Sequence, residues 1–123
     1  MVIEIDFHSD EAIYVQLCNQ IILGIVTAQI REGELLPSVR TLAETIGINM
    51  HTVNKAYAIL QREGFLKIDR RRGAMIAIDI DKLRAIEEAR AEMSLVLARA
   101  VCKNISRKEL HGLLDAICDE WGV

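Results

Sequence analysis

Between Pro37 and Gly64 the chain carries two short apolar stripes at helical spacing, with only three residues between them. Leu42, Ala43 and Ile46 form the first stripe, Val53, Ala56, Tyr57 and Leu60 the second, and Gly47-Ile48-Asn49 joins them. Ser38, directly after the only proline, is a good N-cap for the first helix, and Asn49 for the second. Gly64 ends the pattern. Two helices of roughly 8 and 14 residues joined by so short a turn cross at a steep angle. Such a crossing needs a small residue at the point of approach, which is Ala43, and a turn position that tolerates positive φ, which is Gly47. The small residue, the glycine and Val53 fall 4, 8 and 14 places after Val39. This is the pattern of a helix-turn-helix.

The flanking segments complete a mainly α chain with one small β-hairpin. Ile3, Ile5 and Phe7 alternate with Glu4 and Asp6, predicting a short strand or extended arm. Ser9 or Asp10 is the expected cap of a first helix, whose apolar face runs Tyr14, Leu17, Cys18, Ile21, Ile25 and Ala28 up to Gly33. After Gly64 the period changes to that of strands. Phe65, Leu66 and Ile68 are followed by the polar turn Asp69-Arg70-Arg71-Arg72-Gly73, and Met75, Ile76 and Ile78 return. Asp79 and Asp81 then introduce a long helix to about Asn104, by periodicity. Ser106 and Glu109 fit a capping box for a last helix. The expected organisation is a winged helix-turn-helix over residues 1–78, with its N-terminal arm, and a two-helix dimerisation segment over residues 79–123. The apolar stripe of that segment is Leu83, Ile86, Met93, Leu97 and Val101 on one helix, with Leu110, Leu113, Leu114, Ile117 and Trp121 on the other.

Composition narrows the function classes. Hydrophobic residues make up 51% and charged residues 27%, enough apolar material for a core. Aromatic content of 4% disfavours a ring-stacking site. No uncharged apolar run approaches the roughly 18 residues that a membrane span requires. The first residues carry acid where a signal peptide carries base. The expectation is a soluble, cytoplasmic chain with no membrane partner. Cys18, Cys102 and Cys118 form no C-x-x-C pair, and each lies among apolar residues as a small hydrophobe. No metal site, cofactor or catalytic residue is expected: the histidines (His8, His51, His111) are dispersed, and no phosphate loop, nucleophile elbow or H-E-x-x-H motif occurs.

The net charge of −3 conceals an uneven distribution. Residues 1–30 carry −4, residues 31–72 carry +3, and the remainder carries −2. The basic middle coincides with the helix-turn-helix and the hairpin, which suits a polyanionic partner for that part alone. Outside the inner face of the second helix stand Met50, His51, Thr52, Asn54 and Lys55, with no acid among them. A major groove admits one helix, and its base edges offer donors and acceptors that Asn, His and Thr can meet. The ordinary alternative is a capping Asn49 beside solvated polar residues. The whole arrangement instead fits the docking mode of a recognition helix. Arg70, Arg71 and Arg72 then lie where a wing follows a phosphate strand or enters the minor groove, and Gly73 permits close approach of the wing backbone.

Five separated blocks resemble one family. Ile13-Tyr14-Val15-Gln16-Leu17, Leu36 to Ala43 (LPSVRTLA), Val53-Asn54-Lys55-Ala56-Tyr57, Glu63-Gly64-Phe65-Leu66 and Arg71-Arg72-Gly73 are similar to the GntR family of transcription regulators. The resemblance covers Ala12 to Ile78. The 45 residues that follow are too few for the ligand-binding or aminotransferase-like domains of larger members. They resemble the YtrA subfamily, whose two C-terminal helices make a dimer. The resemblance implies DNA contacts from Ser38, Arg40, Asn49, His51, Thr52, Asn54 and Lys55, and wing contacts from Arg71, Arg72 and Gly73. It also implies control of a neighbouring transporter operon. The chain departs from the family in two places: Ala12 replaces the usual proline, and Ala74-Met75-Ile76 replace a second glycine, a threonine and an aromatic.

The expected partners are double-stranded operator DNA, a second copy of the chain and an unidentified small-molecule effector. A twofold dimer would place two recognition helices about 34 Å apart on a near-palindromic operator, and the expected role is repression. The rival readings are a winged helix that binds protein or RNA, and a regulator that senses oxidation or metal through its cysteines.

Overall fold

The computed structural model describes residues 2–123. It contains five helices and one hairpin: α1 (Ile13–Val26), α2 (Val39–Ile46), α3 (Met50–Arg62), β1 (Leu66–Asp69), β2 (Gly73–Ile76), α4 (Lys82–Cys102) and α5 (Arg107–Trp121). The architecture is mainly helical with a two-stranded antiparallel wing, as the periodicities predict. The chain divides into two compact units, residues 1–79 and 80–123.

In the first unit, α3 is the central element and packs against α1, α2 and β1. Its inward face, Val53, Ala56, Tyr57 and Leu60, is fully or almost fully buried. Leu17, Cys18 and Ile21 of α1, Leu42 and Ala43 of α2, and Leu66 and Ile76 of the hairpin close around it. The turn between α2 and α3 depends on Gly47 at φ +80, with the Gly47 and Ile48 amides both donating to Ala43 O, at 2.9 and 3.0 Å. A side chain at that φ is strained, so glycine here follows from the tightness of the turn.

Helix α1 differs from expectation at both ends. It starts at Ile13 after Ala12, which makes no side-chain cap; Ser9 Oγ instead accepts the Glu11 amide at 3.0 Å within a preceding turn. It ends at Val26, well before Gly33, because Ala28 enters the left-handed region at φ +62 and thereby leaves the apolar face assigned to it. Past that turn the Ile30 amide donates to Gly24 O at 2.9 Å. The Ile30 side chain folds back onto Gly24 so closely that a Cβ there would stand 2.6 Å from Ile30 Cδ1. Burying Ile30 against α1 outweighs continuation of the helix.

The arm is extended but forms no strand. Two glutamines one turn apart on α1 replace a strand partner. Gln16 accepts the Asp6 amide at 2.9 Å and donates to Asp6 O at 3.0 Å, and Gln20 exchanges the same pair of bonds with Glu4. The i, i+4 spacing of the helix thus matches the i, i+2 spacing of extended chain. Ile3 packs on the core, whereas Phe7 turns outward at 58% exposed because a turn held by Asp6 Oδ1 and the His8 amide breaks the alternation.

In the wing, Leu66 pairs with Ile76 and Asp69 with Gly73. Residues 33–36 run antiparallel beside β2 and join it through an isolated bridge: Leu35 bridges Met75, Leu36 N–H donates to Ala74 O at 2.8 Å, and Ile76 N–H donates to Glu34 O at 2.9 Å. Sequence periodicity predicts no strand there.

In the second unit, Asp81 caps α4 through the Arg84 amide, and Ser106 caps α5 through the Glu109 amide; the expected capping box is half formed, because Glu109 Oε1 accepts the Ser106 hydroxyl at 3.2 Å instead of the Ser106 amide. Neither helix contains a buried residue. Leu83, Ile86, Met93, Leu97 and Val101 are between 38% and 71% exposed, and Leu113, Leu114 and Ile117 are also exposed. Leu110 and Trp121 are half-buried. No helix among the described residues is long and apolar enough to cross a membrane.

Candidate nucleic-acid interface

The candidate surface is built from the first turns of α2 and α3 and from the wing. Burial of Val53, Ala56, Tyr57 and Leu60 fixes the rotation of α3. It leaves Met50, His51, Asn54 and Lys55 exposed and Thr52 half-exposed. Helix α3 contains no acidic residue, and Lys55 and Arg62 are its cations. Arg40 is exposed in the first turn of α2, and Arg70, Arg71, Arg72 and Gly73 are exposed at the wing tip.

Two of the sequence-derived residues have structural duties. Ser38 Oγ accepts the Thr41 amide at 3.1 Å and also bonds Thr41 Oγ1 at 2.9 Å. Asn49 Oδ1 accepts the His51 amide at 2.8 Å. Both side-chain oxygens are thus used at N-caps, where they fix the helix starts and leave positively polarised ends nearby. Asn49 keeps its NH₂ group for outside contacts.

Two interactions that connect distant residues shape this surface. Tyr57, buried in α3, donates its hydroxyl to Pro37 O at 2.8 Å and ties the entrance of α2 to α3. Burial pushes its phenol up to about 12 from the ordinary 10. Lys55 Nζ lies 3.9 Å from the centroid of the Tyr14 ring, so α1 supports the ammonium at the edge of α3. Sequence reasoning places Tyr14 in the core and Lys55 on the surface. Their 41-residue separation carries no local signal that they meet.

At the wing, Asp69 Oδ1 accepts the Arg71 amide at 2.7 Å and the Arg72 amide at 3.4 Å. The only ion pair among the described residues is Arg84–Glu88 on α4, so none of the three wing guanidinium groups is paired with a carboxylate among them.

The cysteines separate. Cys18 is buried with its thiol donating to Ala56 O at 3.5 Å, and burial, then Glu63, push that thiol up and away from thiolate chemistry. Cys102 is exposed and Cys118 half-exposed, so neither fills a core position within the chain. The helical spacing that suggests burial for these two marks a face that their own unit does not cover.

Residues 11–76 match the model of the family described as bacterial regulatory proteins, gntR family. The HTH-type transcriptional repressor YtrA of Bacillus subtilis is 41% identical over 75 residues, spanning 61% of this chain and 58% of that protein. YtrA from Sulfolobus acidocaldarius, a GntR-family transcription factor of known structure, is 34% identical, with a TM-score of 0.60 over 98% of this chain and 100% of that one. A protein from Listeria monocytogenes EGD-e, described as a transcriptional antiterminator, superimposes with a TM-score of 0.87 at 29% identity, over 98% of this chain and 92% of that one.

Proposed function

Since this chain belongs to the gntR family of bacterial regulatory proteins, and within it to the YtrA-like branch, we propose that it is a homodimeric repressor of a near-palindromic operator. Members of the family are transcription regulators that bind DNA, not enzymes. The observation that carries the reading onto these residues is the acid-free, exposed face of α3, flanked by a wing whose three guanidinium groups form no ion pair among the described residues. In this reading residues 1–78 bind DNA and residues 79–123 dimerise. Arg40, Met50, His51, Thr52, Asn54 and Lys55, with the Asn49 amide, face the major groove and its phosphates. Ser38 acts through the start of α2, and Arg70 to Gly73 contact the adjacent backbone. Each bidentate base contact would contribute about 1–3 kcal/mol of discrimination, while phosphate contacts set affinity and its salt dependence.

The dimer reading rests on the second unit. A helix pair with no buried residue leaves an apolar stripe exposed along both helices, and a second copy is the cover proposed here. Repression is supported by the name of the B. subtilis relative. The Listeria relative is described as a transcriptional antiterminator, which leaves room for a second reading in which the same basic surface meets RNA.

Gel shifts with the chain's own promoter, a scrambled duplex and an RNA hairpin, repeated across salt, test both. The expected result is selective retardation of the promoter, lost on Arg40→Ala or Asn54→Ala. Equal retardation of every duplex, indifferent to these changes, overturns the sequence-specific reading, and preference for the hairpin favours the RNA one.

A further inference from the structure

We propose that Asp69 is a positioning residue for DNA binding, whose carboxylate shapes the wing tip so that Arg71 and Arg72 meet the phosphate backbone. The inference rests on the DNA-binding reading above and deepens it. From Lys67 to Gly73 the chain carries four cations and this single acid. On a surface meant for phosphate, a fixed negative charge opposes binding. The geometry gives it a different task. The register pairs Asp69 with Gly73, so the connection is the three residues Arg70 to Arg72, with Gly73 at φ +90. Asp69 Oδ1 reaches across the start of that loop to the Arg71 amide at 2.7 Å and, more weakly, to the Arg72 amide at 3.4 Å. No guanidinium is ion-paired to it. The carboxylate is engaged with the backbone, and the arginine heads remain available to an external anion.

Three consecutive arginines repel one another and have long, mobile side chains, so a tip without internal bonds pays ordering entropy when it docks. A side-chain acceptor at the first position of the turn removes part of that cost in advance. Asparagine offers the same acceptor geometry without the charge, and alanine offers neither, so the two substitutions share one net charge and differ in the hydrogen bond.

The test uses the full chain and a labelled mixed-sequence duplex, with anisotropy titrations over a range of KCl concentrations. Wild type, Asp69→Asn, Asp69→Ala and the double variant Arg71→Ala/Arg72→Ala are compared at a temperature where all are folded. Asp69→Asn is expected to bind at least as tightly as wild type. Asp69→Ala is expected to bind about 5-fold more weakly than Asp69→Asn, the scale of one hydrogen bond. Amide exchange at Arg71 should be slow in wild type and Asp69→Asn and fast in Asp69→Ala. If the asparagine and alanine variants bind alike across the salt series, the proposal fails. The wing reading survives that failure when the double arginine variant weakens binding and flattens the salt dependence. If the double variant binds like wild type, the wing reading falls and the role of Asp69 falls with it.

Discussion

Tyr57 shows how one side chain serves both the core and the surface. Its ring fills the centre of the first unit and its hydroxyl donates to Pro37 O at 2.8 Å, one residue before the cap of α2. Burial disfavours the phenolate and pushes the phenol up to about 12. Both folded and unfolded chains hold a neutral phenol below pH 10, so the stability contribution is complete there. Between pH 10 and 12 only the unfolded chain ionises, and stability falls by roughly 2–3 kcal/mol. Urea unfolding should show a larger alkaline loss in wild type than in Tyr57→Phe, where only the Cys18 thiol, also pushed up by burial, still contributes. At neutral pH the variant should be about 0.5–1.5 kcal/mol less stable through the lost hydrogen bond. The pattern of α3 makes Tyr57 legible as a core residue; its partner Pro37, twenty positions earlier, is visible only in three dimensions. The same holds for Lys55 over the Tyr14 ring, which local spacing cannot foresee because the contact depends on how α1 lies against α3.

Elements whose signals are internal match expectation closely. Ser38 and Gly47 bound α2, and Asn49 starts α3, because capping chemistry acts within three residues of itself. Asn49 also allows cap and interface roles to be separated. Asn49→Ala should destabilise the chain by about 1 kcal/mol in thermal or urea unfolding. Asn49→Asp keeps an acceptor for the His51 amide and suits the helix dipole, so stability should hold. The added negative charge at the end proposed to face the groove should nevertheless weaken duplex binding several-fold, more so at low salt. Elements whose limits depend on other elements depart from expectation. Helix α1 stops at Val26 because Ile30 turns back to bury itself against Gly24, and the isolated bridge at Leu35 forms because β2 presents a free edge. The arm is the third such case. Replacing Gln16 and Gln20 together by leucine should abolish exchange protection at the Glu4 and Asp6 amides. It should leave the α3 amides protected, since those glutamines bond the arm and not the core.

At the scale of the whole molecule, the two units have contrasting surfaces. The first encloses its own core, while the second exposes apolar side chains along both helices and buries none. If a second copy covers that stripe, unfolding temperature rises with protein concentration, since association stabilises only the folded chain. Leu97→Glu, which places a charge on the stripe, should give a monomer by light scattering at micromolar concentration. It should also weaken operator binding by about 100-fold or more, because the paired contact is lost. The first unit should remain folded in that variant, with the alkaline transition of Tyr57 intact. A wild-type monomer at the same concentration would remove the dimer from the mechanism.

The sequence by itself determined the helix-turn-helix, the hairpin, the two C-terminal helices and the acid-free outer face of α3. All of these follow from periodicity and capping, which are properties of neighbouring residues. Tertiary structure decided where α1 stops, how Gln16 and Gln20 hold the arm, that Tyr14 supports Lys55, and that Asp69 bonds the backbone of its own turn instead of a guanidinium. Those outcomes depend on which groups packing brings within bonding distance, and a one-dimensional pattern encodes spacing along the chain but not proximity across it.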